Sequence, residues 1–118
     1  SLREIPSPVD YVISCIRAAE VPAMLEDGAR KGVKAVHLYT ARFSETGRPE
    51  AARLEQEILK QAQKSGTRLI GPNCMGIVSN EIKLNASFAS LMPLSGKLAF
   101  ISQISLCWWM TDMRTRFI

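Results

Sequence analysis

The hexapeptide Gly71-Pro72-Asn73-Cys74-Met75-Gly76 follows directly on the strand-like run Thr67-Arg68-Leu69-Ile70. A loop in that place sits at the carboxyl end of a strand, where open α/β sheets receive their ligands. Glycine at both ends permits backbone angles and close approaches closed to other residues. Pro72 fixes one φ and removes a donor, and Asn73 can bond its own turn or a ligand amide. Cys74 is the strong nucleophile of the loop, but a thiol attacks only as the thiolate, and no sequence neighbour supplies a base. A cysteine packed in a strand-end turn therefore competes with a catalytic one and is favoured over it.

The chain has one histidine, His37, and it lies inside a strand pattern. A phosphoryl acceptor needs exposure and an orienting partner, so a packed histidine is expected. Ser44 and Glu45 can either bond a ligand or support the start of the following helix. Three cysteines, Cys15, Cys74 and Cys107, stand far apart without a C-x-x-C pair. That inventory predicts no zinc site and, with no export signal, a reducing cytoplasmic setting. Cys15 is expected in the core.

The elements that must position these residues are legible from spacing. Val9–Ile16 is nearly continuous apolar sequence and predicts a strand buried on both faces. Val21–Lys31 has helical spacing, with Val21, Met24, Leu25 and Ala29 on one face, Pro22 in the first turn and Gly32 as the stop. Gly28 lowers helix propensity and points to close packing. Val33–Thr40 is a second strand, followed by a polar loop over 41–48. A long helix runs over Pro49–Ser65, burying Ala51, Leu54, Ile58 and Ala62 and leaving Arg53 and Glu57 on the wet face. Thr67–Ile70 is the third strand. The order β-α-β-α-β with short joins argues for an α/β fold with a parallel sheet and right-handed crossovers, half of a doubly wound domain. From Ile77 to Pro93 the pattern reads as irregular. Lys97–Ser102 is a further strand, and the tail carries the adjacent Trp108 and Trp109.

The 118 residues bound the chain to one domain at most. A hydrophobic content of 47% fits a globular protein. No apolar run approaches the ~18 residues a bilayer span needs, so no membrane role is expected. The formal charge of +4 comes from dispersed basic residues without aromatic interleaving, which argues against nucleic acid and suits a phosphate-bearing small ligand.

Several segments in order resemble the NDP-forming acyl-CoA synthetase family, which includes succinyl-CoA synthetase α subunits and ADP-forming acetyl-CoA synthetases. Val9-Asp10-Tyr11-Val12-Ile13 resembles the fourth strand of the family's CoA-binding Rossmann domain. Lys31-Gly32-Val33-Lys34-Ala35-Val36 leads into the next strand, and Phe43-Ser44-Glu45-Thr46-Gly47 resembles the loop after it. The most specific likeness is Arg68 to Ile77, which contains the hexapeptide. Leu84-Asn85-Ala86-Ser87-Phe88-Ala89 and Gly96-Lys97-Leu98-Ala99-Phe100-Ile101-Ser102-Gln103 continue it.

The resemblance implies a partial Rossmann-like sheet over 1–80, a linker over 81–96, and over 97–118 the first strand of a flavodoxin-like domain with a divergent tail. It implies coenzyme A or acyl-CoA as ligand, with Pro72, Asn73, Cys74, Met75 and Gly76 near the sulfur end, and Ser44 and Glu45 beside it. Under that reading Cys74 lines a thiol-ligand pocket. The family's chemistry runs through an acyl phosphate and a phosphohistidine, with ATP or ADP and magnesium; those sites are expected outside this chain. Ser102 and Gln103 match the start of the family's phosphate-holding turn, but Ile104-Ser105-Leu106 departs from it, as a frameshift, a truncation or a remnant of a longer protein would. At Arg42 the family usually has glycine, and a cation there would narrow or recharge the pocket. The chain is thus expected to be a fragment that forms part of a CoA site and is inactive alone, with a complementary synthetase chain or a homo-oligomer as its partner. The alternatives are a non-catalytic CoA-binding or interaction module and a degraded gene product.

Overall fold

In the computed structural model, which describes residues 1–88, the apolar runs and amphipathic stretches form five strands and two α-helices among those residues. They fall into two compact units, one spanning Ser1–Cys74 and the other beginning at Met75.

The first unit holds β1 (Tyr11–Ser14), α1 (Val21–Lys31), β2 (Ala35–Leu38), α2 (Pro49–Ser65) and β3 (Arg68–Ile70). The strands form one parallel sheet in the order β1-β2-β3. Both helices keep the bounds their spacing gave, each with proline in the first turn, where the missing N–H has no intrahelical partner anyway. The two helices pack against each other.

Side chains alternate across a strand, and here the alternation separates two environments. Val36 and Leu38 of β2 are fully enclosed with Val21 and Leu25 of α1, Ile58 of α2 and Phe43, with Val12 and Leu69 packed alongside. Tyr11, Ile13, Ala35, His37 and Ile70 belong to the opposite set, in register across the three strands.

Four readings need correction. The first strand is shorter than Val9–Ile16; Val9 and Ile16 pack on the core from outside the ladder. It is not buried on both faces, since Ile13 is 47% exposed. Cys15 is exposed rather than core, because it lies one residue past the strand end. On α1 the buried position is Gly28, not Ala29; Gly28 lies over Val33, whose N–H donates to the Gly28 carbonyl at 2.9 Å.

In the second unit, the described part of the stretch read as irregular forms an antiparallel hairpin of β4 (Gly76–Ser79) and β5 (Leu84–Ser87). β5 falls inside the segment expected to be a linker. Gly76 pairs with Ser87 at φ 125°, and a Cβ there would lie 2.2 Å from the Ser87 Cα, so only glycine fits. The readings of a strand over Lys97–Ser102, of the phosphate turn at Ser102 and Gln103, and of the Trp108-Trp109 tail lie outside the described residues.

Candidate functional site

A parallel sheet brings the carboxyl ends of all its strands to one edge, so three loops meet there. Cys15-Ile16-Arg17 follow β1, Tyr39 to Arg42 follow β2, and Gly71 to Cys74 follow β3. Backbone groups stitch them together. Tyr39 N–H donates to the Ser14 carbonyl at 3.1 Å, Asn73 N–H to the Thr40 carbonyl at 3.0 Å, and Cys74 N–H to the Leu38 carbonyl at 3.4 Å. The Thr40 hydroxyl donates to the Ile16 carbonyl at 2.7 Å.

The hexapeptide loop owes its path to its first residues. Gly71 has φ 96°, and a Cβ there would stand 2.5 Å from the Leu38 carbonyl oxygen. The Gly71–Pro72 peptide is cis, and Asn73 adopts φ 51°. Asn73 is exposed and Cys74 half-buried, so the loop offers an amide and a thiol edge to the end of the sheet.

The loop after β2 is built around Glu45. Its carboxylate accepts the backbone N–H of Arg42 at 2.6 Å and of Phe43 at 2.9 Å. The Glu55 carboxylate, from α2, accepts the N–H of Ser44 at 2.9 Å. Three successive amides are thus held by the chain's own carboxylates, and Phe43, fully enclosed, anchors the loop to the core. Sequence reasoning left Glu45 between ligand binding and helix support; its carboxylate caps the loop itself, and the α2 N-terminus has no side-chain cap. Glu55 and Phe43 were missed. The acid ten residues beyond Glu45, on the second turn of α2, was the available signal for the first.

Behind these loops lies a titratable cluster. Tyr11 Oη and His37 Nδ1 share a hydrogen bond of 2.9 Å, and the His37 ring stacks on Tyr39 with centroids 4.5 Å apart. His37 is fully enclosed, and its Nε2 has no hydrogen-bond partner among the described residues. Burial pushes the imidazole below its usual range. Burial also pushes both phenols up. Tyr39 and then Cys74 add to the effect on Tyr11, and Cys15 and then Cys74 to that on Tyr39. As expected from its strand pattern, His37 is a packed residue. Enclosed as it is, it cannot present a nitrogen to a phosphoryl group.

On the helix side of the same edge, a cavity of about 1350 Å³ opens between the loop after β1, the loop after β2 and the first turns of α2. Arg17, Arg42, Arg48 and Arg53 line it above a floor that includes Ile16 and Leu54. Arg42 holds φ 77°, a backbone region that favours glycine. Among the described residues no three His, Cys, Asp or Glu side chains converge to hold a metal ion, and no helix is long and apolar enough to cross a membrane. Loops gathered at the carboxyl ends of parallel strands can bind and orient a ligand.

Comparison with known proteins agrees with this fold. The model of the CoA binding domain family matches residues 1–80. Over 103 residues the chain is 40% identical to an ADP-forming acetate–CoA ligase I of Archaeoglobus fulgidus, covering 87% of this chain and 15% of the relative. It is 44% identical to the α subunit of an ADP-forming acetate–CoA ligase II of Pyrococcus furiosus, covering 87% of this chain and 22% of that one. Among solved structures, a dinucleotide-forming acetyl-coenzyme A synthetase 1 of Candidatus Korarchaeum cryptofilum, in complex with phosphate and ADP, superposes with a TM-score of 0.78 at 32% identity. That match covers 89% of this chain and 22% of the other. The chain therefore spans about a fifth or less of the length of these relatives.

Proposed function

Because this chain belongs to the CoA binding domain family, we propose that it supplies part of the coenzyme A site of an ADP-forming acyl-CoA ligase. The observation that carries this reading is the bond from Asn73 N–H to the Thr40 carbonyl at 3.0 Å. It fixes the Gly71–Cys74 loop across the end of β2, where a parallel sheet receives ligands.

In this reading Pro72, Asn73 and Cys74 form the surface for the sulfur end of CoA, with the Asn73 amide and the Cys74 edge beside the thioester. Ser44 borders the ligand from the neighbouring loop, and Glu45 holds that loop in shape. The contribution is positioning, which in well-oriented systems is worth about 7–11 kcal/mol of barrier, rather than covalent chemistry. The phosphohistidine, nucleotide and magnesium steps belong to other parts of the enzyme. Isolated cysteines without a C-x-x-C pair suit a reducing cytoplasm.

Calorimetric titration of CoA into the full chain and into an Asn73→Ala, Cys74→Ala variant tests the proposal. Saturable binding that the variant weakens at least tenfold is expected. A folded chain that binds no CoA, or a variant that binds it undiminished, would overturn the assignment.

A further inference from the structure

The cavity beside the α2 N-terminus lies wholly within the first unit, and no residue of the Gly71–Cys74 loop lines it. Four arginines, Arg17, Arg42, Arg48 and Arg53, stand around it. Arg17 is ion-paired with Glu20. Arg42, Arg48 and Arg53 are exposed and have no ion-pair partner among the described residues. Two nearby acids are engaged elsewhere: the Glu45 and Glu55 carboxylates accept the backbone amides of 42–44. Arg42 keeps its place at φ 77°, against the backbone preference of any residue with a Cβ.

Three features suit a polypeptide rather than a small anion. Pockets for small ligands hold roughly 300–1,000 Å³, and this one, at about 1350 Å³, is larger. Glu50 and Glu57 alternate with Arg48 and Arg53 along α2 and face the same space. A polyphosphate carries charge on every group and would meet both carboxylates. A polypeptide can set acidic side chains against the arginines and neutral ones against the glutamates. The floor, finally, includes Ile16, Pro22 and Leu54, and arginine around an apolar centre is the make-up of a protein–protein contact.

From these observations we infer that the cavity is a docking site for an acidic segment of a partner protein. Its carboxylates pair with Arg42, Arg48 and Arg53, and its aliphatic side chains rest on Ile16 and Leu54. Planar guanidinium groups take carboxylates two hydrogen bonds at a time. The N-terminus of the 17-residue helix α2 favours the same negative sign. The inference goes beyond the CoA reading and does not depend on it.

Fluorescence anisotropy on the full chain tests it with a labelled peptide in which glutamates flank a pair of leucines. One control peptide carries glutamine for glutamate, the other serine for leucine. The chain is expected to bind the first peptide at least tenfold more tightly than either control at low salt. Its advantage over the glutamine peptide should shrink as salt rises. Arg48→Gln with Arg53→Gln should remove that advantage. Arg48→Glu with Arg53→Glu should turn the preference toward a lysine–leucine peptide, a result that loss of folding cannot give. A folded chain that binds the glutamate and glutamine peptides equally, or binds neither, overturns the inference. So does displacement of the peptide by inorganic phosphate or a single-stranded oligonucleotide at lower concentration, which would make the cavity a small-anion or nucleic-acid site. CoA is titrated separately by calorimetry. Peptide binding without CoA binding upholds the docking site and sinks the CoA reading; the reverse pattern sinks this inference alone.

Discussion

The Glu45 carboxylate accepts the backbone N–H of Arg42 at 2.6 Å, and Arg42 sits at φ 77°. The same carboxylate takes the Phe43 N–H, so one side chain sets the turn that leads from β2 toward α2. Replacing it with alanine leaves two amides to water. Glu45→Ala is expected to destabilise the chain by about 1–2 kcal/mol, read as a lower urea midpoint at unchanged slope. A midpoint equal to wild type would mean that the loop holds its shape without the acid.

Arg42→Gly should act the other way. A left-handed backbone costs a residue with a Cβ roughly 1–2 kcal/mol, partly offset by the entropy glycine adds to the unfolded chain. A net gain of about 0.5–1 kcal/mol is expected. A stability loss in thermal melts would show that the arginine side chain supports the loop.

Phe43 lies in a loop yet is fully enclosed with Leu38 and Ile58. Phe43→Ala is therefore expected to cost about 3–5 kcal/mol, as much as a core residue of a helix or strand. Chemical denaturation measures it, and a loss below 1 kcal/mol would contradict the burial.

Gly71→Ala should be disruptive at a site where the side-chain change is small. The new Cβ would meet the Leu38 carbonyl oxygen at 2.5 Å, at a φ of 96°. The expected loss is at least about 2 kcal/mol, with CoA affinity falling as the Asn73 loop shifts. A wild-type melting curve and unchanged affinity would refute the close approach.

Burial lowers the pKa of His37 in the folded state, so its contribution to stability is full above the unfolded value of about 6.5 and lost as pH falls toward the folded value. Urea midpoints should decline as the pH falls below about 6.5 in the wild type, and less steeply in His37→Phe. Asp27, whose carboxyl is held low by the Ser1 hydroxyl and then by Arg3, acts only at more acid pH. Parallel declines in both proteins would assign the pH dependence to another group.

The fold was readable where periodicity is unambiguous. Pro22 and Gly32, Pro49 and Gly66 bracket the two helices, and Ala51, Ile58 and Ala62 mark the buried stripe of α2. The hairpin of Gly76–Ser79 and Leu84–Ser87 was not readable. Its loop, Asn80-Glu81-Ile82-Lys83, lacks the glycine that usually announces a tight hairpin, and Asn85 and Ser87 dilute the strand pattern. Cys15 was misjudged because a strand's last apolar residue and the first residue of its loop look alike in sequence.

What the sequence by itself determined was the order of elements, the parallel sheet and the loop at Gly71–Gly76, because spacing and turn residues are local properties. Its motifs also pointed to a CoA-binding family, which the match over residues 1–80 bears out. The tertiary structure alone decided which groups meet. It seated the Glu45 and Glu55 carboxylates on the amides of 42–44, enclosed His37 between Tyr11 and Tyr39, and gathered Arg17, Arg42, Arg48 and Arg53 around one cavity. These residues come from different strands, helices and the loops between them. Parallel packing brings the ends of such elements together, and no local pattern in the chain records that meeting.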